Sequence, residues 1–142
     1  MDEIHKKILI AEDEGLIAKT MAKKFALSGF EVKNAYNGQE ALDLLAKEKF
    51  DLMILDLMMP VMDGFGVLTE LKKRGDKTPV IVATNLNQVE DVTRVFELGC
   101  TNYYVKADTT LDQIVEEARQ TILRIDARKE RPLDNRKPII SG

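Results

Sequence analysis

Cysteine pairs, long apolar runs and an excess of basic charge are all missing from this sequence of 142 residues. Cys100 is the only cysteine, which rules out an internal disulfide and a zinc site built on paired cysteines. No stretch approaches the roughly 20 apolar residues of a membrane span, and the start of the sequence lacks the apolar run of a signal peptide. We therefore expect a cytoplasmic protein with no membrane partner.

The charge balance is mildly acidic. A formal net charge of −3 argues against direct nucleic-acid binding, which needs a concentrated basic face. With 44% hydrophobic and 32% charged residues, the composition is typical of a soluble globular protein, and the length fits one domain. We interpret Cys100, beside Gly99, as a buried thiol.

Short apolar runs alternate along the chain with segments in which apolar residues recur every three to four positions. The runs predict buried strands, and the recurring positions predict amphipathic helices. The predicted strands cover residues 8–11, 30–35, 52–55, 79–83 and 102–105. The predicted helices include residues 16–25, 39–47, 68–71, 89–96 and 111–125.

Five buried strands separated by helices predict an α/β protein with an open, doubly wound parallel sheet, because only crossover helices let successive strands run parallel. A closed eight-stranded barrel needs roughly 250 residues and is excluded by length. The first strand is not followed by a glycine-rich turn, which favours the flavodoxin-like (βα)5 order 2-1-3-4-5. From about Asp126 the apolar periodicity fades, so residues 127–142 are predicted to be a helix end and a flexible tail.

Polar residues follow the predicted strands at one edge of this sheet. Glu12 and Asp13 follow the first strand, Asp56 the third, Thr84 the fourth and Lys106 the fifth. In the order 2-1-3-4-5 the first and third strands are neighbours, so the three acids converge. Each residue alone is commonly a solvated loop residue, but their joint placement across four strands indicates a site.

Crowded carboxylates must take up protons or bind a cation, and an all-oxygen set with open positions suits Mg²⁺. Such a cation brings an anionic phosphoryl group close to a carboxylate. Lys106 supplies a second positive charge, and Thr84 supplies a hydroxyl donor. The set therefore favours formation of an aspartyl phosphate, with Asp56 as the nucleophile.

Four stretches carry a resemblance to the receiver domain of bacterial two-component response regulators, a CheY-like family. The resemblance extends from about Lys6 to about Ile125, so the receiver domain is assigned to residues 1–126. The stretches are KILIAEDE at 7–14, DLMILDLMMPVMDG at 51–64, TPVIVAT at 78–84 and YYVK at 103–106.

The resemblance implies that Asp56 accepts a phosphoryl group from a sensor histidine kinase or a histidine phosphotransfer protein. It makes Asp13 and Asp56 direct Mg²⁺ ligands, Glu12 a ligand through water and the Met58 backbone carbonyl a further ligand. The protein would then be a phosphoacceptor with at most slow self-dephosphorylation, rather than an enzyme.

The resemblance also assigns roles on the phosphate side of the site. Lys106 would pair with the phosphate and Thr84 would hydrogen-bond to it. Movement of Thr84 would let Tyr103 turn inward and remodel the face of the fourth helix, fifth strand and fifth helix. That face would control a downstream protein target, and homodimerisation through it stays open.

Three positions depart from the family pattern. Ala107 stands where a proline, often with a cis peptide bond, usually follows the lysine, so the loop before the fifth helix is expected to be altered. Asn85 stands where Ala or Gly is usual and is expected either to restrict access to the phosphate or to add a hydrogen bond. Met58 lacks the polar side chain of many relatives, which bears on the hydrolysis rate.

Alternative functions differ in the residues that they require. A flavodoxin-type cofactor binder needs a Ser/Thr/Gly-rich loop after the first strand, whereas Glu12, Asp13 and Glu14 repel a flavin phosphate. An aspartyl-phosphate hydrolase needs a second Asp two residues after the nucleophile, where Met58 stands. A receiver-like scaffold that takes no phosphate, and a receiver fragment of a longer regulator, stay as alternatives.

Overall fold

A computed structural model describes residues 5–130, in which strands and helices alternate throughout. The strands are β1 (Lys7–Ala11), β2 (Glu31–Ala35), β3 (Leu52–Leu55), β4 (Val80–Thr84) and β5 (Asn102–Val105). The helices are α1 (Gly15–Leu27), α2 (Gly38–Lys47), α3 (Gly64–Arg74), α4 (Val89–Glu97) and α5 (Leu111–Glu130). A short 3₁₀ turn, Lys106–Asp108, links β5 to α5.

All five strands are parallel and lie in the order β2-β1-β3-β4-β5, which confirms the predicted open, doubly wound sheet. Its two faces carry separate apolar clusters. Leu9 and Met53 belong to the cluster on the side of α2, α3 and α4, whereas Ile8 and Ile54 belong to the cluster with α1 and α5. Because alternate residues of one strand enter different clusters, both faces are covered, which explains the continuous apolar runs.

Local signals fix where individual helices begin and end. At the start of α2, the Asn37 side chain accepts a hydrogen bond from the backbone N–H of Glu40, and the Glu40 carboxylate accepts one from Tyr36 N–H, each at 2.9 Å. At the start of α3, Asp63 accepts from Gly66 N–H at 2.9 Å. Helix α3 ends at Arg74 and is followed by Gly75, which adopts the left-handed conformation that glycine tolerates best.

Each end of each predicted strand lies within one residue of the observed strand end. Helix α5 continues to Glu130, past the last apolar position at Ile125. Helix formation persists there because the polar residues of this segment are good helix formers even without an apolar stripe. Of the predicted tail, residues 131–142 lie outside the described residues. Within residues 5–130, no helix has both the length and the hydrophobicity of a membrane span.

Candidate functional site

The carboxyl ends of β1 and β3 bring Glu12 and Asp56 side by side. Ala11 of β1 pairs with Leu55 of β3, so the residues that follow them leave the sheet at neighbouring points. The backbone N–H of Asp56 donates to the carbonyl of Ala11 at 3.0 Å, which extends this pairing by one residue. The strand register therefore positions the two acids.

Lys106 follows β5, two strands away from β3 in the sheet, and its side chain reaches this pair of acids. Its ammonium Nζ donates to Asp56 Oδ2 at 2.7 Å and also to the Glu12 carboxylate. Both acids are almost completely buried, with 1% of Glu12 and 7% of Asp56 exposed. A buried charge is tolerated only when it is paired, and Lys106 is the positively charged partner of both acids.

Asp13 completes a cluster of three acids that can hold a metal ion. Carboxylate oxygens of Glu12, Asp13 and Asp56 all lie within 4.8 Å of one another. Opposite ligands of one Mg²⁺ ion are about 4.2 Å apart, so small side-chain rotations bring these oxygens to the required spacing. An all-oxygen donor set with one exposed member, Asp13, also leaves room for water or phosphate oxygens.

The pKa shifts at the site have identifiable causes. Burial raises the pKa of Glu12, and the hydrogen bond from Lys106 opposes this effect without cancelling it. Burial lowers the pKa of Lys106, but its hydrogen bonds to Asp56 and Glu12 and its attraction to their charges together outweigh burial, so its pKa is raised. Lys106 is therefore a cation at neutral pH, yet it leaves negative charge at the site that a bound cation would balance.

The loop after β3 fixes the orientation of the Asp56 carboxylate. Met58 N–H donates to Asp56 Oδ1 at 3.2 Å, so each carboxylate oxygen has one donor. Gly64 closes the loop by donating its N–H to the Leu57 carbonyl at 3.0 Å. A Cβ atom at Gly64 would lie 2.6 Å from the Asp56 carbonyl, so only glycine permits this approach. The proposed metal contact of the Met58 carbonyl stays a prediction.

Thr84 and Tyr103 meet the same short loop after β4. The buried Thr84 hydroxyl accepts from Leu86 N–H at 3.4 Å. The Tyr103 hydroxyl donates to the Leu86 carbonyl, and burial, followed by nearby Asp91, raises the pKa of Tyr103. The sequence interpretation missed Leu86 because it acts through backbone groups, which leave no signal in the side-chain pattern. The only feature of the sequence that indicates a role for Leu86 is its position two residues after Thr84.

Asn85 and Ala107, two of the three departures from the expected pattern, also meet in the structure. Asn85 Oδ1 accepts from Ala107 N–H at 3.0 Å. The Asn85 side chain thus bonds to the loop that carries Lys106, and its expected effect on the phosphate stays a prediction. The loop after Lys106 forms a 3₁₀ turn, and the described part of the chain has no cis peptide bond, whereas the predicted alteration of this loop relative to the family stays a prediction.

Comparison with known proteins gives consistent similarities. A family model described as the response regulator receiver domain matches residues 8–119. The probable transcriptional regulator ycf27 of Cyanidium caldarium is 40% identical over 131 residues, which cover 90% of this chain and 51% of the relative. Response regulator MprA of Mycolicibacterium vanbaalenii is 30% identical, over 83% of this chain and 51% of the relative. The chain thus spans about half the length of these relatives.

Solved structures resemble the fold closely. The receiver domain of the Francisella response regulator 1452 superposes with a TM-score of 0.81 at 30% identity, covering 85% of this chain and 99% of that one. A CheY-like receiver domain protein from Methanospirillum hungatei gives a TM-score of 0.83 at 22% identity, covering 88% and 99%. At that lower identity, the second likeness bears on the fold alone.

Proposed function

This chain belongs to the response regulator receiver domain family of two-component signalling, and we propose that it is a phosphorylation-dependent switch with Asp56 as the phosphoryl acceptor. The observation that carries this proposal is the setting of Asp56. Its buried carboxylate is held between the Lys106 ammonium, at 2.7 Å, and two further acids that can share a cation. This arrangement orients a carboxylate nucleophile and places positive charge where an incoming phosphate needs it.

The proposed reaction transfers a phosphoryl group from a phosphohistidine of a sensor histidine kinase or a histidine phosphotransfer protein. One oxygen of Asp56 forms a bond to phosphorus while the P–N bond breaks. The departing imidazole nitrogen keeps the electron pair and takes up a proton. Lys106 then pairs with a phosphate oxygen in place of the carboxylate oxygen that it holds before transfer.

Mg²⁺ is the proposed cofactor because the cluster offers only oxygen ligands. Asp13 and Asp56 would contact it directly, Glu12 through water, and Met58 through its carbonyl. When bound, Mg²⁺ neutralises charge on the transferring phosphoryl group. The protein residues supply the rest: they orient the Asp56 carboxylate and hold the Lys106 ammonium.

The proposed response begins at Thr84. Its hydroxyl contacts Leu86 N–H at a long distance of 3.4 Å, so little free energy is lost when it turns to a phosphate oxygen. Movement of this loop also moves Leu86, whose carbonyl holds the Tyr103 hydroxyl. The face formed by α4, β5 and α5 would change in turn and contact a downstream protein target in the cytoplasm. Exposed Val89 and Phe96 on α4 suit such a contact.

Mass spectrometry tests the acceptor. We expect the protein, incubated with Mg²⁺ and acetyl phosphate, to gain one phosphoryl group, and Asp56→Asn to gain none. The control is Asp51→Asn, which changes an acid before β3 at the opposite edge of the sheet and should leave the adduct intact. An adduct that survives Asp56→Asn would refute the proposal.

Spectroscopy tests the switch. We expect Thr84→Ala to form the adduct but to lose most of the change in Tyr103 fluorescence or NMR signals, because the loop no longer gains a bond to the phosphate. Asn87→Ala, in the same loop, is the control and should respond like the unchanged protein. Equal spectral responses in Thr84→Ala and the unchanged protein would contradict the proposed coupling.

A further inference from the structure

We propose that Asn85 is a positioning residue whose side chain anchors the turn that carries Lys106, and that this anchor sets the rate at which Asp56 accepts a phosphoryl group. The inference rests on the proposed function. It starts from one hydrogen bond, in which Asn85 Oδ1 accepts from the backbone N–H of Ala107 at 3.0 Å. This bond joins residues 22 positions apart in sequence.

The bond lies next to two residues of the site. Asn85 directly follows Thr84, the last residue of β4, and Ala107 directly follows Lys106. Thr84 pairs with Val105 in the sheet, so the two loops leave the sheet side by side. The Asn85 side chain therefore extends the pairing of β4 and β5 beyond the sheet edge.

The turn that carries Lys106 has few other anchors. Residues Lys106–Asp108 form a single 3₁₀ turn, and none of the three is buried. Thr109 N–H reaches the Lys106 carbonyl at 3.3 Å, and the Thr109 hydroxyl reaches the Val105 carbonyl at 2.9 Å. Both of these contacts stay within the same loop and strand, whereas the Asn85 bond connects the turn to a neighbouring strand.

The anchor matters most during transfer. Before transfer, the Lys106 ammonium is held by the carboxylates of Asp56 and Glu12. Its contact with Asp56 must be exchanged for a phosphate oxygen as the new bond forms. The Asn85 bond involves neither carboxylate, so it holds the Lys106 backbone in place while the ammonium changes partners, and less reorganisation is needed.

The residue types at positions 85 and 107 depend on each other. A proline at 107 has no N–H to donate, and an alanine or glycine at 85 has no side-chain oxygen to accept. The two departures from the receiver pattern are therefore the two ends of one hydrogen bond. Neither substitution alone would create it.

Kinetic and NMR measurements on the full chain test the inference. We expect Asn85→Ala to be phosphorylated by acetyl phosphate about five- to tenfold more slowly, the change that corresponds to losing one typical hydrogen bond. The Mg²⁺-induced rise in melting temperature should be unchanged, since the three acids are untouched. Asn87→Ala, an exposed asparagine of the same loop, is the matched control and should keep the original rate.

A second readout does not require phosphate. In Asn85→Ala, the Ala107 amide should exchange with solvent faster than in the unchanged protein. Ala107→Pro removes the donor of the same hydrogen bond from which Asn85→Ala removes the acceptor. The bond can be lost only once, so the double variant Asn85→Ala/Ala107→Pro should be phosphorylated no more slowly than the slower of the two single variants.

The outcomes separate the two proposals. A phosphoryl adduct that forms on Asn85→Ala at the original rate overturns the positioning role alone, and so do fully additive effects in the double variant. If the unchanged protein takes no phosphoryl group at all, the proposed function fails and this inference fails with it.

Discussion

The edge of the sheet where the strands begin (the amino edge) and the edge where they end (the carboxyl edge) both carry lysines and acids, but the charges are paired differently at the two edges. At the amino edge, Glu48 lies between Lys7 and Lys33, and Lys6 pairs with Asp126 at 2.8 Å. A cavity of about 830 Å³ also lies there, with Phe50, Pro79, Ile122 and Ile125 in its apolar lining. At the carboxyl edge, three acids lie together beside only a shallow depression, and the one ammonium group there, that of Lys106, pairs with Glu12 and Asp56 but not with Asp13.

The pKa shifts of two glutamates express this difference. Hydrogen bonds from Lys33 and Lys7 lower the pKa of Glu48. Its charge therefore stabilises the fold at pH values above the ordinary pKa of glutamate, and this stabilisation is lost as the pH falls through the lowered pKa. Burial raises the pKa of Glu12, so its ionisation costs stability as pH rises. Charge imbalance at a buried position, rather than cavity volume, therefore marks the edge that carries the candidate site.

Replacing one lysine at each edge should give the largest contrast in rate. We expect Lys106→Ala to slow phosphorylation by acetyl phosphate about 10²- to 10³-fold, because the positive charge facing the transferring group is lost. Lys33→Ala, which removes an ammonium 2.6 Å from Glu48, should leave the rate unchanged. The measurement is adduct formation over time, and equal rates in both variants would remove the functional distinction between the edges.

A thiol-reactivity experiment examines Cys100, a buried residue at the amino edge that has no part in the proposed phosphoryl transfer. Cys100, just before β5, is 7% exposed, and burial raises its pKa from 9.0 to about 11. At pH 8 the folded protein should hold about a hundredfold less thiolate than the unfolded chain, so it should react slowly with a disulfide reagent until denaturant is added. Rapid labelling of the folded protein would show instead that this edge opens readily.

Much of the fold could be predicted because the central strands are buried on both faces. The runs at 8–11 and 52–55 need no partner information to be identified as strands, and their alternation with helices restricts the sheet to a parallel, doubly wound form. The end of α5 at Glu130 could not be predicted from periodicity, because the residues after Ile125 follow no apolar repeat.

The acids and lysine of the site could be predicted because strand ends fix side chains to one edge. Glu12, Asp56 and Lys106 meet there as expected. The roles of Leu86 and Ala107 could not be predicted, because both contribute backbone atoms. The partner of the Asn85 side chain depends on a loop 22 residues away, whose conformation no local pattern specifies.

Asp13 offers a test of the cation site by stability. We expect Mg²⁺ to raise the melting temperature of the unchanged protein. At a Mg²⁺ concentration a hundred times the dissociation constant, the free energy of unfolding should increase by about 2.7 kcal/mol. In Asp13→Asn, which removes one of the three clustered carboxylates, this rise should be much smaller. Glu48→Gln, at the other edge, should keep the full Mg²⁺ response.

The same two variants should differ in sign when no cation is present. Asp13 makes no ion pair with Lys106 among the described contacts, so Asp13→Asn removes repulsion without removing an attraction. We expect it to raise the free energy of unfolding in EDTA by on the order of 0.5 kcal/mol, a small value because Asp13 is exposed and screened. Glu48→Gln removes an acid held by two lysines and should lower it. Chemical denaturation measures both changes, and a loss of stability in both variants would mean that the acids of the carboxyl edge are as well balanced as those of the amino edge.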